Sequence, residues 1–231
     1  MTRQSQIVYR KFSQMPILLN QNLAFPDPSL ADAEGLVAIG GDLGTERLLA
    51  AYRAGIFPWT VDPITWWSPD PRAIFELDGF HVSQSLARVI RQGRFEVTID
   101  QSFRAVMEGC ATPTPGRGGA WITEEFIEAY TRLHRQGHAH SVECRLQGEL
   151  VGGIYGVSIG GLFAGESMFH RVSGASKVAL HHLVGHLRQR GFALFDIQMV
   201  TPATKPLGAI EIPRREYLQR LSAAVAMKCS F

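Results

Sequence analysis

At 231 residues the chain is long enough for one large domain or two small ones, and its 45% hydrophobic content supports a packed core. A net charge of +2 does not by itself argue for a nucleic-acid partner, and no run of about 18 apolar residues offers a membrane span. Cys110, Cys144 and Cys229 form no C-x-x-C, so neither a disulfide framework nor a zinc knuckle is expected. The opening M-T-R-Q-S-Q-I-V-Y-R lacks the apolar centre of a secretory signal, and the expected compartment is a reducing cytoplasm.

Residues 1–20 read as a loose arm. Phe25 to Pro28, F-P-D-P, reads as a turn, because each proline biases its predecessor away from helix. Leu36 to Ile39 predicts a short strand ending in Gly40-Gly41-Asp42. The glycine pair matches neither the dinucleotide fingerprint nor the P-loop and reads as a tight turn. Thr45 is placed as the cap of a helix through Ala54, with Leu48, Leu49 and Tyr52 on one face and Gly55 at C′. Ile56 to Arg72 carries four prolines and three tryptophans, which rules out regular helix and predicts a rigid loop. Its tryptophans either pack a junction or offer a stacking platform for bases. A domain boundary is placed near Arg72, giving an N-terminal domain over 1–72 and a second domain over 73–231.

A helix is predicted over His81 to Gln92. Arg88, Arg91 and Arg94 are spaced to share one side, either as a solvated face or as a row that contacts phosphates. F-E-V-T-I predicts a strand, Gln101 to Cys110 a short helix and Thr112 to Gly119 a flexible loop. Thr123, followed by Glu124 and Glu125, opens a further helix to about Arg135, ended by Gly137. Glu143 to Gln198 then reads as one unit. Two strands join through Gln147-Gly148-Glu149, and a second turn falls at Ser158 to Gly161. A helix runs from Ser173, its expected N-cap, to Arg190, with Gly191 at C′, and Phe192 to Ile197 is a buried strand. The expected class is therefore α/β (α+β), with a meander, helix and strand laid out as in N-acetyltransferases. That layout alone does not fix a function.

The polar residues of this unit carry the chemical interest. Glu166 interrupts an apolar strand, L-F-A-G-E-S-M-F. Asp196 and Gln198 lie two apart on the last strand, which predicts a shared face. A buried carboxylate is costly unless hydrogen-bonded, so these groups serve either strand-end backbone or chemistry. His182 and His186 have the i, i+4 spacing of a metal pair, but Leu183 stands where a metalloprotease helix has Glu, and no third ligand is evident. No metal is expected. No G-x-S-x-G marks a serine hydrolase.

A set of motifs occurs in order: V-A-I-G-G-D-L, Y-R-x-G-I-F-P-W, W-W-S-P-D-P-R, W-I-T, L-x-x-x-G-H-A-H-S-V-E, L-V-G-G-I-Y-G-V, F-A-G-E-S-M-F, G-A-S-K, D-I-Q and E-I-P-R-R-E-Y-L. Together, over about Phe25 to Leu218, they resemble the bacterial leucyl/phenylalanyl-tRNA–protein transferase family. The resemblance implies a small N-terminal domain joined to an acetyltransferase-like (GNAT-like) domain. It implies transfer of leucine or phenylalanine, and methionine less well, from aminoacyl-tRNA to the α-amino group of proteins beginning with Arg or Lys. That reaction creates an N-degron, in the cytoplasm, by a monomer without cofactor or membrane partner.

Carried over by motif, Asp196, Gln198 and Glu166 are the expected catalytic group. Trp59 and Trp121 match aromatic residues of the substrate cleft, and Ser167 and Met168 join the substrate-binding set. The apolar side-chain pocket falls on Ile154, Phe163, Leu180, Leu183, Leu187 and Phe195, more aliphatic than is usual in the family. An acetyl-CoA-dependent acetyltransferase is the first rival. It needs a pyrophosphate loop where Arg171 to Lys177 reads R-V-S-G-A-S-K, with Ser176 in place of the last small residue. A non-enzymatic tRNA-binding protein is the second, and it leaves Asp196 and Gln198 without work.

Overall fold

The computed structural model describes residues 17–113 and 122–231. Ile17–Leu19 (β1) pairs in parallel with Leu36–Gly40 (β2), so the end of the expected arm belongs to a sheet. After β2, helix α1 (Thr45–Arg53) begins behind Gly44 rather than behind a capping Thr45, and the side chain of Asp42 accepts the Gly44 N–H at 2.7 Å. The stretch read as a rigid loop is instead a hairpin, Phe57–Val61 (β3) and Ile64–Trp67 (β4). Pro58 is tolerated in a strand because β3 is the edge of the four-stranded order β1-β2-β4-β3, and the register slips between Pro58 and Thr60. Trp66 is fully buried and donates its indole N–H to the Gly40 carbonyl at 2.8 Å.

The larger sheet has seven strands: Arg72–Phe75 (β5), Glu96–Ile99 (β6), Ala139–Leu146 (β7), Glu149–Ile159 (β8), Leu162–His170 (β9), Leu194–Gln198 (β10) and Ala209–Ile212 (β11). Their spatial order is β11-β5-β10-β9-β8-β7-β6. Strands β6 to β9 form an antiparallel run. The β7–β8 hairpin turns on Gln147 and Gly148, both at positive φ (54° and 84°), as a two-residue primed turn requires. β10 joins β9 in parallel after the crossover helix α5 (Ala175–Gln189). Gly174, at φ 90°, is the α5 N-cap, so Ser173 does not cap it. The remaining helices are α2 (Gln84–Arg91), α3 (Phe103–Ala111), α4 (Glu124–Arg135) and α6 (Arg214–Val225).

Period-two alternation divides the core. Val142, Ile154, Phe163 and Phe195 face α5, with Leu180, Leu183 and Leu187. Tyr155, Val157 and Ala164 face α3, α4 and the N-terminal sheet. A third cluster places Tyr217 and Leu221 of α6 against Ile74, Leu162 and Leu194. Gly156 is required where β8 crosses β9: a Cβ there would lie 2.3 Å from the Ala164 carbonyl. No helix among the described residues is long and apolar enough to cross a membrane.

Candidate active site

The end of β10 meets β9, β5, α1, α4 and α6 at one buried polar cluster. Asp196 is fully buried and Gln198 nearly so. The sequence predicts a shared strand face for the pair, but the ladder slips between them and Gln198 sits at φ 61°. They meet through a local turn, in which the Asp196 carboxylate accepts the Gln198 N–H at 2.9 Å. The Gln198 amide nitrogen in turn donates to Glu166 Oε1 at 2.7 Å. The amide oxygen is then the end of Gln198 that Glu166 does not hold.

Asp196 has further partners. Arg72, the first residue of β5, forks onto it, with Nε to Oδ1 at 2.9 Å and Nη2 to Oδ2 at 2.6 Å. The Tyr217 hydroxyl donates to Oδ2 at 2.8 Å. Each carboxylate oxygen thus accepts two hydrogen bonds, so the lone-pair positions of Asp196 are occupied. Burial opposes the Arg72 charge, but Asp196 and Tyr217 beside it more than restore it, and the guanidinium stays above its ordinary range.

Glu166 keeps partial exposure, yet burial pushes its carboxyl up to about 8. The Tyr52 and Gln198 hydrogen bonds and the Arg72 charge oppose that rise, whereas the Asp196 charge adds to it. Behind Glu166 the hydroxyls of Tyr52 and Tyr130 contact each other, and burial holds both phenols well above their usual range, as neutral groups. The result is a continuous chain from Tyr130 through Tyr52, Glu166, Gln198 and Asp196 to Arg72 and Tyr217. Such an arrangement fixes one amide side chain and its backbone in a single pose, beside a carboxyl that burial pushes up to about 8.

The six residues of the expected apolar pocket are brought together. Ile154, Phe163, Leu180, Leu183, Leu187 and Phe195 are all buried in the cluster under α5, with Met168 half-buried against it. Ser167 is half-buried beside Met168 on β9. Trp59 is also half-buried, edge-on to Trp67 at 5.3 Å between ring centres. Trp121, and residues 114–119 of the expected loop, lie outside the described residues.

The arginine row is only partly as expected. Arg88 and Arg91 stand exposed in the last turn of α2. Arg94 lies past Gly93, off the helix, where it donates to the Ser173 carbonyl at 3.2 Å and covers the Phe95 ring. Helix periodicity cannot continue through Gly93, at φ 60°. Arg171, in the rival phosphate loop, donates to the Leu150 carbonyl at 3.1 Å. No group of three potential metal ligands occurs among the described residues. Sequence reasoning assigned no role to Arg72, Tyr217, Tyr52 or Tyr130. Its one available signal was an arginine opening the otherwise apolar strand R-A-I-F, since a buried guanidinium demands a carboxylate partner.

The family model for leucyl/phenylalanyl-tRNA protein transferase matches residues 74–222, and the model for that family's N-terminal domain matches residues 41–70. A Pseudomonas entomophila leucyl/phenylalanyl-tRNA–protein transferase is 52% identical over 209 residues, covering 89% of this chain and 92% of that protein. A Nitratidesulfovibrio vulgaris protein of the same name is 53% identical over 203 residues, covering 87% of each. Among solved structures, the chain is loosely similar to a Brucella melitensis ribosomal-protein-alanine N-acetyltransferase (17% identity, 43% of this chain, 75% of that chain, TM-score 0.31). It is similar to a like degree to a GCN5-related N-acetyltransferase-like protein from Streptococcus suis (16%, 68%, 59%, TM-score 0.35). An α/β chain with these relatives is an aminoacyltransferase. It belongs to the leucyl/phenylalanyl-tRNA–protein transferase family.

Proposed function

We propose that the protein transfers leucine or phenylalanine, and methionine less well, from aminoacyl-tRNA to the α-amino group of proteins beginning with Arg or Lys, making an N-degron. On this reading it works as a cytoplasmic monomer without cofactor, and its domains divide near Arg72. The observation that carries the reading is the Gln198 amide, held by nitrogen to Glu166 and by backbone to Asp196, with its oxygen left to meet an amine.

The aminoacyl ester is already activated, so no covalent enzyme intermediate is required. The attacking amine has an ordinary pKa of about 8, and a modest acceptor suffices near neutrality. Its nitrogen forms the new bond to the ester carbonyl carbon while the bond from that carbon to the tRNA ribose oxygen breaks. The amine proton passes past the Gln198 oxygen to that leaving oxygen. Most of the acceleration comes from orienting the two ends, a source worth up to roughly 7–11 kcal/mol. The apolar cluster from Ile154 to Phe195 receives the donor side chain at its Ser167–Met168 end. Trp59 and Trp121 are assigned by motif to the substrate cleft, and Arg88, Arg91 and Arg94 meet tRNA phosphates.

The test is to mix the protein with leucyl-tRNA and a peptide beginning with Arg, and to weigh the peptide. A gain of one leucyl residue is expected, with little gain on the same peptide beginning with Asp. Equal gain on both peptides would overturn the acceptor assignment.

A further inference from the structure

Asp196 is the best-bonded carboxylate in the cluster, and for that reason it cannot itself reach a substrate. Of its four hydrogen bonds, two come from Arg72, one from Tyr217 and one from the Gln198 backbone. The last is the bond that ties the carboxylate directly to the residue proposed to meet the amine. Gln198 sits at φ 61°, a left-handed conformation that a residue with a side chain holds only when its surroundings insist. What insists here is the turn closed by Asp196. The pose of that turn depends in its turn on whatever fixes the Asp196 plane.

Arg72 supplies that fixation, and little of its side chain is left free to move. Its fork engages both carboxylate oxygens, and Nη1 donates to the Gly55 carbonyl at 3.1 Å. Its guanidinium carbon lies 4.9 Å from the centre of the Phe57 ring and 4.4 Å from that of Tyr217. Gly55 comes from the α1–β3 connection, Phe57 from the start of β3 and Tyr217 from α6. Arg72 therefore ties the site both to the chain between α1 and β3 and to α6. We propose that Arg72 is a positioning residue for the transfer reaction: through Asp196 it holds the Gln198 backbone in the left-handed turn that aims the amide at the acceptor. The inference rests on the proposed role of Gln198 and adds to it the device that sets its pose.

Arg72→Lys tests the inference, because lysine keeps the charge but cannot fork onto a carboxylate. In single-turnover transfer from leucyl-tRNA at saturating donor, the rate should fall about 10–100-fold, with donor affinity unchanged, as expected for a small misplacement of a reacting group. The decisive background is Gln198→Ala. There the same Arg72→Lys change should have no further effect on rate, since Arg72 acts only through Gln198. A purely structural ion pair would slow both backgrounds alike, or neither, and either result overturns the proposal. If Gln198→Ala alone transfers at the normal rate, it is the underlying role of Gln198 that fails. Should Arg72→Lys not fold, Tyr217→Phe loosens the same clamp more gently, removing a hydroxyl that donates to Asp196 and accepts from Arg72 at 3.3 Å. It should give a smaller rate loss, which again vanishes in Gln198→Ala, and persistence of that loss overturns the clamp.

Discussion

Replacing Glu166 with Gln should make the protein more stable at alkaline pH than the wild type, and the sign follows from burial. The Glu166 carboxyl is pushed up to about 8 in the folded chain, against an ordinary value of 4.5. Between those values the folded state binds a proton that the unfolded state has released, so stability falls as pH rises. The loss begins near pH 4.5 and levels off above pH 8. From pH 6 to pH 9 the shift corresponds to roughly 2–3 kcal/mol. Glu166 keeps partial exposure, and solvent screening discounts that to roughly 1–2 kcal/mol. Glutamine has the same shape, can still accept the side-chain N–H of Gln198 and has no charge to desolvate. Urea unfolding of both proteins at pH 6 and pH 9 measures the effect, with equal slopes confirming equal exposed surface. The stability of Glu166→Gln relative to wild type should rise between the two pH values. A gap that does not change with pH would mean that Glu166 ionises like an exposed carboxyl, and the buried network around it would need redrawing.

Other consequences are open to the same kind of measurement. Asp196→Asn should cost about 3–5 kcal/mol in urea unfolding, because it leaves the Arg72 charge buried without its counter-ion, and its kcat and kcat/KM should fall together while donor binding survives. Gly156→Ala should unfold at markedly lower temperature, its Cβ colliding with the Ala164 carbonyl, whereas Gly185→Ala, in open space on α5, should gain about 0.5–1 kcal/mol. Leucyl-tRNA should outcompete isoleucyl-tRNA by about 1–3 kcal/mol in kcat/KM, as a shape-selective apolar pocket allows, and equal transfer would remove the apolar cluster as donor site. Arg88→Ala with Arg91→Ala should flatten the salt dependence of tRNA binding by about one unit of slope per lost contact, with Arg94→Ala adding less because its side chain already serves Ser173 and Phe95.

What could be read in the sequence was periodic or local. The turns at Gln147-Gly148-Glu149 and Ser158 to Gly161 mark the meander, and helical spacing from Ala175 to Leu187 marks α5. What could not be read needed tertiary context. Ile56 to Arg72 looks like irregular chain because prolines break patterns, but Pro58 lies on a sheet edge where a missing N–H goes unnoticed. Asp196 and Gln198 meet through a slip of the ladder and not through the alternation that their spacing predicts. Their partners were further out of reach. Arg72 lies 124 residues from Asp196 in sequence, and Tyr52 lies 78 from Tyr130, so only the sheet order and helix packing place them together.

That long-range clamp bears on how the chemistry is divided among the side chains. A carboxylate acting as general base must have a lone pair free for the proton it takes. Asp196 has none to spare, and freeing one would break its bond to Arg72, to Tyr217 or to the backbone of the residue it positions. Burial pushes the Glu166 carboxyl up to about 8, so near neutrality it holds its own proton and has less capacity to accept another. An amide oxygen is too weak a base to keep a proton and can only steer one. On the proposed reaction, the proton released by the amine therefore ends on the substrate, at the ribose oxygen that leaves with it, and the protein's part is to hold the amine in line. A site built in this way should tolerate small changes in base strength and be sensitive to small changes in pose. That is why turnover should depend on the fork of Arg72, 124 residues from Asp196 in sequence and absent from the expected catalytic group.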